Sequence, residues 1–196
     1  MGLSEEMATQ VIANALNMAR NMKDDIVKED GATDFGICPT IIVGYGDEME
    51  DGGGICEIGI EGVHPVDVLP NALSAMYSQG ILKKWSWMCL IVEGYVGNAS
   101  DEKDLEKYER GSAEEDYKTN PLSKVQEALL ATVFCFDESV FGGVQVFTLN
   151  DIGHPNYLDI EFHEKGKMDD GNIPFIFKSF IKFCKLREKE EQAKNN

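Results

Sequence analysis

Two apolar runs constrain the fold of this chain more than any other feature. They are residues 85–96, WSWMCLIVEGYV, and residues 128–136, ALLATVFCF. Both runs are apolar on each of the two faces that alternate along a strand, which is typical of strands covered on both sides. Neither run approaches the roughly 18 residues that would span a bilayer. The sequence therefore predicts two neighbouring strands at the centre of a sheet.

Three other segments have helical patterns. Ser4 is a candidate N-cap, and apolar residues recur at helical spacing over residues 5–28. This predicted apolar stripe consists of Leu3, Met7, Val11, Ala15, Met18, Met22 and Ile26. A second helix is predicted over residues 67–79, with the aspartate at its start as cap and the glycine after it as stop. Asn172 is the predicted cap of a final helix, whose polar tail from about residue 188 is expected to fray.

Four shorter runs complete the predicted sheet. Residues 39–45 and 55–60 form a predicted hairpin around a glycine-rich acidic tip. Residues 144–149 and 157–162 form two further predicted strands, joined by a turn. The order of helix, two strands, helix, four strands and helix indicates a single α+β domain over residues 1–196. Its sheet is expected to be mostly antiparallel and flanked by N- and C-terminal helices.

Negative charge is concentrated in the first 120 residues. They carry 23 acidic and 9 basic side chains, whereas the remaining residues carry 12 and 9, and the chain has a net charge of −17. Part of this charge lies in residues 97–121, a predicted charged excursion between the two central strands. A negative surface repels phosphate backbones and anionic lipids, so direct binding to nucleic acid or to a membrane is disfavoured. The favoured partner is a basic protein.

The 5 cysteines are widely spaced, and no C-x-x-C motif is present. They lie in or beside apolar segments, as buried free thiols do, which favours a reducing compartment. Since the first residues form neither a basic nor an apolar leader, we expect a cytoplasmic protein. The sequence contains no dinucleotide-binding or Walker fingerprint that would indicate a nucleotide cofactor. A divalent cation is the one cofactor that the sequence leaves open.

The alternating segment near residue 160 holds the first candidates for a metal site. The side chains of Asp159, Glu161 and His163 share one face of the predicted strand. Residues two apart on a strand lie about 6.6 Å apart, so a neighbouring pair could converge on one ion but all three could not. His154, in the preceding loop, could complete a pair. The alternative is a half-buried strand with one wet face.

A second candidate cation site is the acidic tip, where Asp47 and Asp51 precede three consecutive glycines. Oxygen ligands on a glycine-rich loop suit Ca²⁺ or Mg²⁺. The EF-hand pattern fails, because Met49 and Ile58 fall at positions that require side-chain oxygens. The alternative is a solvated hairpin turn.

Glu93 is the one charged residue inside the first apolar run. A buried carboxylate could act as a general acid or base, which makes Glu93 a candidate catalytic residue. No nucleophile or phosphate-binding loop stands beside it in the sequence. The alternative is a carboxylate that is paired with a lysine, an arginine or a backbone donor.

The predicted final helix carries a basic stripe on an acidic protein. Lys178, Lys182, Lys185 and Lys189 stand at spacings that place them within about 60° of one another on a helix. The stripe is either an ordinary solvated face or a contact surface. As a contact surface it would bind an anionic partner or the acidic part of a second copy.

Three functions are compatible with these patterns. The first is a non-enzymatic, acidic protein-binding factor, accessory or inhibitory to a basic partner that handles nucleic acid. The second is a metal-dependent hydrolase built from Asp159, Glu161, His163 or His154, with Glu93 as acid or base. The third is a structural subunit that self-associates through the lysine stripe.

Overall fold

The fold is an antiparallel sheet with helices on both faces. The computed structural model describes residues 3–30, 36–45, 53–59, 64–82, 85–97, 125–151, 153–167 and 172–195. In chain order these residues form α1 (Glu5–Asp30), β1 (Thr40–Gly44), β2 (Gly53–Glu57), α2 (Pro65–Ser78), β3 (Trp87–Gly97), β4 (Val125–Cys135), β5 (Ser139–Leu149), β6 (Pro155–Tyr157), β7 (Glu161–Lys167) and α3 (Asn172–Asn195). The predicted α+β class, with helices at the N- and C-terminal ends of an antiparallel sheet, is confirmed.

The two apolar runs form the centre of the sheet, as predicted. The strand order is β2-β1-β3-β4-β5-β6, and β7 pairs with β5 beside β6. Every pair is antiparallel, and β3 and β4 stay paired along their whole length. The register aligns Glu93, Leu129 and Gln145 in one row across three strands. Directly opposed residues point to the same face of a sheet, so this row faces one covering layer.

Two apolar cores explain why both faces of the central strands are apolar. α1 covers one face, where its buried residues pack against the sheet. The residues of this core include Ile12, Leu16, Cys89, Ile91, Leu129, Val133, Phe141 and Phe147. α2 and α3 cover the opposite face, with a core that includes Leu69, Leu73, Met88, Leu90, Phe134, Phe177 and Ile181. A sheet buried on both sides has no wet face, so its central strands cannot alternate between apolar and polar residues.

Of the predicted ends of α1 and α2, the start of α1 and the stop of α2 are correct and the cap of α2 is not. The Ser4 hydroxyl caps α1 by accepting a hydrogen bond of 3.2 Å from the backbone N–H of Met7. The prediction that Asp67 caps α2 is wrong, because the N-cap is His64, whose Nδ1 accepts the N–H of Val66. Gly80 ends α2 with a positive φ of 82°.

The strand predicted over residues 157–162 is interrupted in the structure. β6 ends at Tyr157 and β7 begins at Glu161, although both pair with β5. Phe147 pairs with Tyr157, and Val144 pairs with Glu161. Between these two pairs β5 advances by three residues, whereas the opposing segment from β6 to β7 advances by four. The extra residue is a bulge, which breaks the regular alternation that the sequence suggests. Residues 158–160 therefore lie outside both strands.

Two predicted segments fall wholly or largely outside the described residues. The acidic tip with Asp47 and Asp51 is one, and the excursion over residues 97–121 is the other. The tail predicted to fray from about residue 188 forms the last turns of α3, with exposed side chains up to Lys194. Of the helices in the described part of the chain, none combines the length and the apolar character needed to cross a membrane.

Candidate functional site

Glu93 lies in a buried ion pair between the sheet and α1. Its Oε1 accepts a hydrogen bond of 2.8 Å from Lys23 Nζ, and the two side chains are only 14% and 2% exposed. Its Oε2 accepts the backbone N–H of Ile37 at 2.9 Å. The Lys23 ammonium also lies 5.6 Å from the centre of the Phe147 ring. The carboxylate thus fastens α1, and the segment that follows it, onto β3.

Lys23 belongs to the buried face of α1, which overlaps the predicted stripe in part. This face includes Ala8, Ile12, Leu16, Ala19, Lys23 and Val27, spaced by three or four residues, together with Val11 and Ala15 of the predicted stripe. Met7, Met18, Met22 and Ile26 of the predicted stripe are partly buried and pack against the core from the flank of this face. The helical spacing that runs through Lys23 is the signal that could have identified it as the partner of Glu93.

A second polar group lies beside this pair. The Tyr157 hydroxyl donates to Asp24 Oδ1 at 3.1 Å, and the Arg20 guanidinium lies 4.7 Å from the centre of the Tyr157 ring. Burial raises the pKa of Tyr157, and the charge of Asp24 raises it further. Gln145, which is 3% exposed, donates to the Leu158 carbonyl at 2.8 Å. The Tyr157 contacts hold β6 against α1, and the Gln145 hydrogen bond holds the bulge against β5.

The observed contacts of this polar cluster join α1 to the sheet. Glu93 has a donor on each oxygen, and the hydrogen bond from Tyr157 to Asp24 also joins a strand to α1. The catalytic role of Glu93 stays a prediction, and so do the metal roles of the other candidates.

The candidate metal ligands near residue 160 are exposed and spread over three elements. His154 lies in the turn before β6, where its backbone N–H donates to Asn150 Oδ1. Asp159 lies in the bulge, whereas Glu161 and His163 lie on β7. Within the described ranges, no three His, Cys, Asp or Glu side chains form a group that could hold a metal ion.

The same segment exposes two large apolar side chains. Leu158 is 55% exposed and Phe162 is 44% exposed, although the sequence pattern groups them with Ile160, which packs on the core. Three acidic side chains of the same segment, Asp159, Glu161 and Glu164, are exposed as well. We call these five residues (Leu158, Asp159, Glu161, Phe162 and Glu164) the acidic edge, because β7 borders the sheet and, among the described strands, pairs with β5 alone.

The lysine stripe of α3 is divided between an internal contact and the surface. Lys185 donates to Glu138 in the turn between β4 and β5 at 2.9 Å. The hydrogen bond from Lys185 lowers the pKa of Glu138 against a smaller opposing effect of burial, and the charges of Lys178 and Lys182 lower it further. Lys182 and Lys189 are exposed.

Exposed apolar residues lie beside these two lysines. Phe175 is 69% exposed and Leu186 is 61% exposed. At 100° per residue, Phe175, Lys182, Leu186 and Lys189 lie within about 60° of one another along about 21 Å of helix. We call these four residues the basic face. Sequence reasoning found its lysines but not its apolar half.

A groove of about 310 Å³ opens between α2 and α3 at one end of the basic face. Its lining residues are Pro70, Leu73, Phe175, Ile176, Ser179 and Phe180. Ser179 is the one lining residue with a polar side chain, so the groove suits an apolar side chain better than a polar small molecule, which needs several placed polar groups.

The Glu138–Lys185 pair gives a small, pH-dependent prediction. Glu138→Gln should lower the free energy of unfolding at pH 7 by less than about 1 kcal/mol, because both side chains are about one-third exposed and screened by water. Since folding lowers the pKa of Glu138, its contribution is present above the unfolded pKa and is lost as the pH falls through the folded pKa. Urea unfolding at pH 7 and pH 3 measures this, and an equal loss at both values would contradict it.

No protein-family model matches the chain, and comparison with curated proteins and with solved structures yields no match either.

Proposed function

We propose that this protein is a non-enzymatic protein-binding factor whose acidic edge contacts a basic partner. The observation that carries the proposal is the exposure of Leu158 and Phe162 by 55% and 44% among three exposed acidic side chains. Exposed apolar groups that are rimmed by charge are typical of protein-binding surfaces. Apolar contacts would supply affinity, and the acidic groups would select a basic surface.

Charge also supports a basic partner. The segment 158–164, LDIEFHE, contains three acidic residues and no lysine or arginine, within a chain of net charge −17. Such a surface steers basic proteins toward it and repels acidic ones. A protein that handles nucleic acid is a partner of this chemistry, and binding to its basic surface would compete with the nucleic acid. The protein would then act as an accessory or inhibitory factor.

The irregular edge favours binding through side chains rather than through an added strand. The β5–β7 ladder has a register shift between Val140 and Gly142, in addition to the bulge before β7. Bulges twist an edge away from the flat geometry that strand addition needs. The partner is therefore expected to contact Leu158, Phe162 and their acidic neighbours directly.

Capture from the native host with the tagged full-length chain tests the proposal. We expect the wild type to retain a basic protein at about 50 mM salt and to release most of it at about 300 mM, because screening weakens contacts between exposed charges. The double variant L158S/F162S should retain at least about tenfold less, since each large apolar side chain contributes about 1.5–3 kcal/mol when it is fully buried.

Ile55→Ser is the matched control. Ile55 is 65% exposed on β2, at the opposite border of the sheet, so its replacement removes exposed apolar surface without touching the acidic edge. The control should retain the basic protein as the wild type does. Equal retention by L158S/F162S, or a wild type that retains no basic protein, would contradict the proposal.

A further inference from the structure

The basic face and the acidic edge are complementary surfaces on the same molecule. The basic face offers Lys182 and Lys189 beside two apolar side chains that are more than 60% exposed. The acidic edge offers two exposed apolar side chains among three carboxylates. Each surface therefore carries exposed apolar area together with charge opposite to that of the other surface.

From this complementarity we propose that two copies of the chain associate head to tail, with the basic face of one copy on the acidic edge of the next. The part of this inference that concerns the acidic edge rests on the proposed function, in which the acidic edge binds a protein. The contact joins two different surfaces, so it is heterologous. Such a contact repeats from copy to copy and builds rings or filaments.

The groove between α2 and α3 supports the same arrangement. Phe175 of the basic face is one of its lining residues, and the lining is almost wholly apolar. The groove can therefore receive an apolar side chain from the neighbouring copy. Phe162 and Leu158 are such side chains, and the neighbouring acidic groups would then lie near Lys182. Burial of an aromatic side chain in a pocket, surrounded by paired charges, is the usual centre of a stable contact.

Charge favours the head-to-tail contact over other contacts between copies. Two chains of net charge −17 repel each other, so copies can approach closely only where opposite charges meet. Contacts between two basic faces or between two acidic edges would oppose like charges, which costs several kcal/mol in a close interface. The lysines of the basic face supply such positive charge on an acidic molecule.

Mixing two defective variants tests the proposal. The face variant F175S/L186S lacks the apolar half of the basic face, and the edge variant L158S/F162S lacks that of the acidic edge. Light scattering at about 50 mM salt and up to about 0.5 mM protein should show wild-type masses at least twice that of the monomer. Each variant alone should remain monomeric, whereas the Ile55→Ser control should assemble like the wild type.

The equimolar mixture separates head-to-tail contact from any symmetric one. The intact face of the edge variant can bind the intact edge of the face variant, and no further copy can be added. We therefore expect a 1:1 heterodimer that grows no larger. A mixture that stays monomeric overturns the proposal, and so does assembly by either variant alone or a wild type that is monomeric under these conditions.

The two proposals fail in distinguishable ways. A monomeric wild type that still captures a basic host protein overturns self-association alone. An edge variant that still captures the host protein overturns the proposed binding of a basic partner at the edge, whereas the mixing experiment decides the head-to-tail contact. Circular dichroism of each variant at the same concentration verifies that all of them are folded.

Discussion

Lys23→Met is expected to lower the free energy of unfolding by about 3–5 kcal/mol, because it leaves Glu93 as an unpaired charge inside the protein. The Lys23 side chain is 2% exposed and its ammonium lies 2.8 Å from Glu93 Oε1. Water cannot replace a donor at so buried a position without opening the packing between α1 and the sheet. Urea unfolding monitored by circular dichroism at pH 7 measures the loss.

The double variant K23M/E93Q is the matched control. The glutamine at position 93 removes the buried charge. Its side-chain oxygen can still accept the hydrogen bond from the backbone N–H of Ile37. Because replacing both members of a buried ion pair is often close to neutral, the double variant should recover most of the lost stability. A loss below about 1 kcal/mol in Lys23→Met, or no recovery in the double variant, would contradict a tightly coupled pair.

The pairing of Lys23 with Glu93 is a contact that the sequence alone does not predict. Glu93 stands out because it interrupts an apolar run, but its partner is 70 residues away on another element. The periodicity of α1 does contain Lys23, although the predicted apolar stripe meets the buried face only at Val11 and Ala15 and otherwise follows its flank. A single sequence cannot decide which of two adjacent stripes faces the sheet, because both satisfy helical spacing.

The strand order of the centre was easier to predict than the edge of the sheet. Runs that are apolar on both faces require cover on both sides, and β3 and β4 meet that requirement. The segment around residue 160 alternates cleanly, yet the bulge before Glu161 exposes Leu158 and breaks the predicted face. A bulge depends on the register of two strands and has no mark in local composition. The acidic edge could therefore be seen only in three dimensions.

The apolar half of the basic face was hidden for a similar reason. The lysine spacing was visible in the sequence, whereas Phe175 and Leu186 look like further core residues of an amphipathic helix. The structure directs Phe177 and Ile181 into the core and leaves Phe175 69% exposed. Which apolar residues stay outside depends on how α3 packs beside α2, and this is a tertiary property.

Gly143→Ala is expected to have the second large effect on stability, since it would push α1 off the sheet. A methyl group at Gly143 would collide with Cγ2 of Ile12, at the point where α1 lies against β5. Ile12 is 1% exposed and cannot move into solvent. Overpacking of this kind costs about 1–3 kcal/mol, measured as the shift of the urea midpoint multiplied by the slope of the transition.

Ile12→Ala completes a double-mutant cycle that tests this cause. Alone, the truncation should cost about 2–5 kcal/mol, because it leaves a cavity under α1. In the double variant the new methyl group at Gly143 occupies part of that cavity, so the combined loss should be smaller than the sum of the single losses by at least about 1 kcal/mol. Strict additivity would mean that the alanine at Gly143 acts through the β5 backbone and that the close approach of α1 is not what requires glycine there.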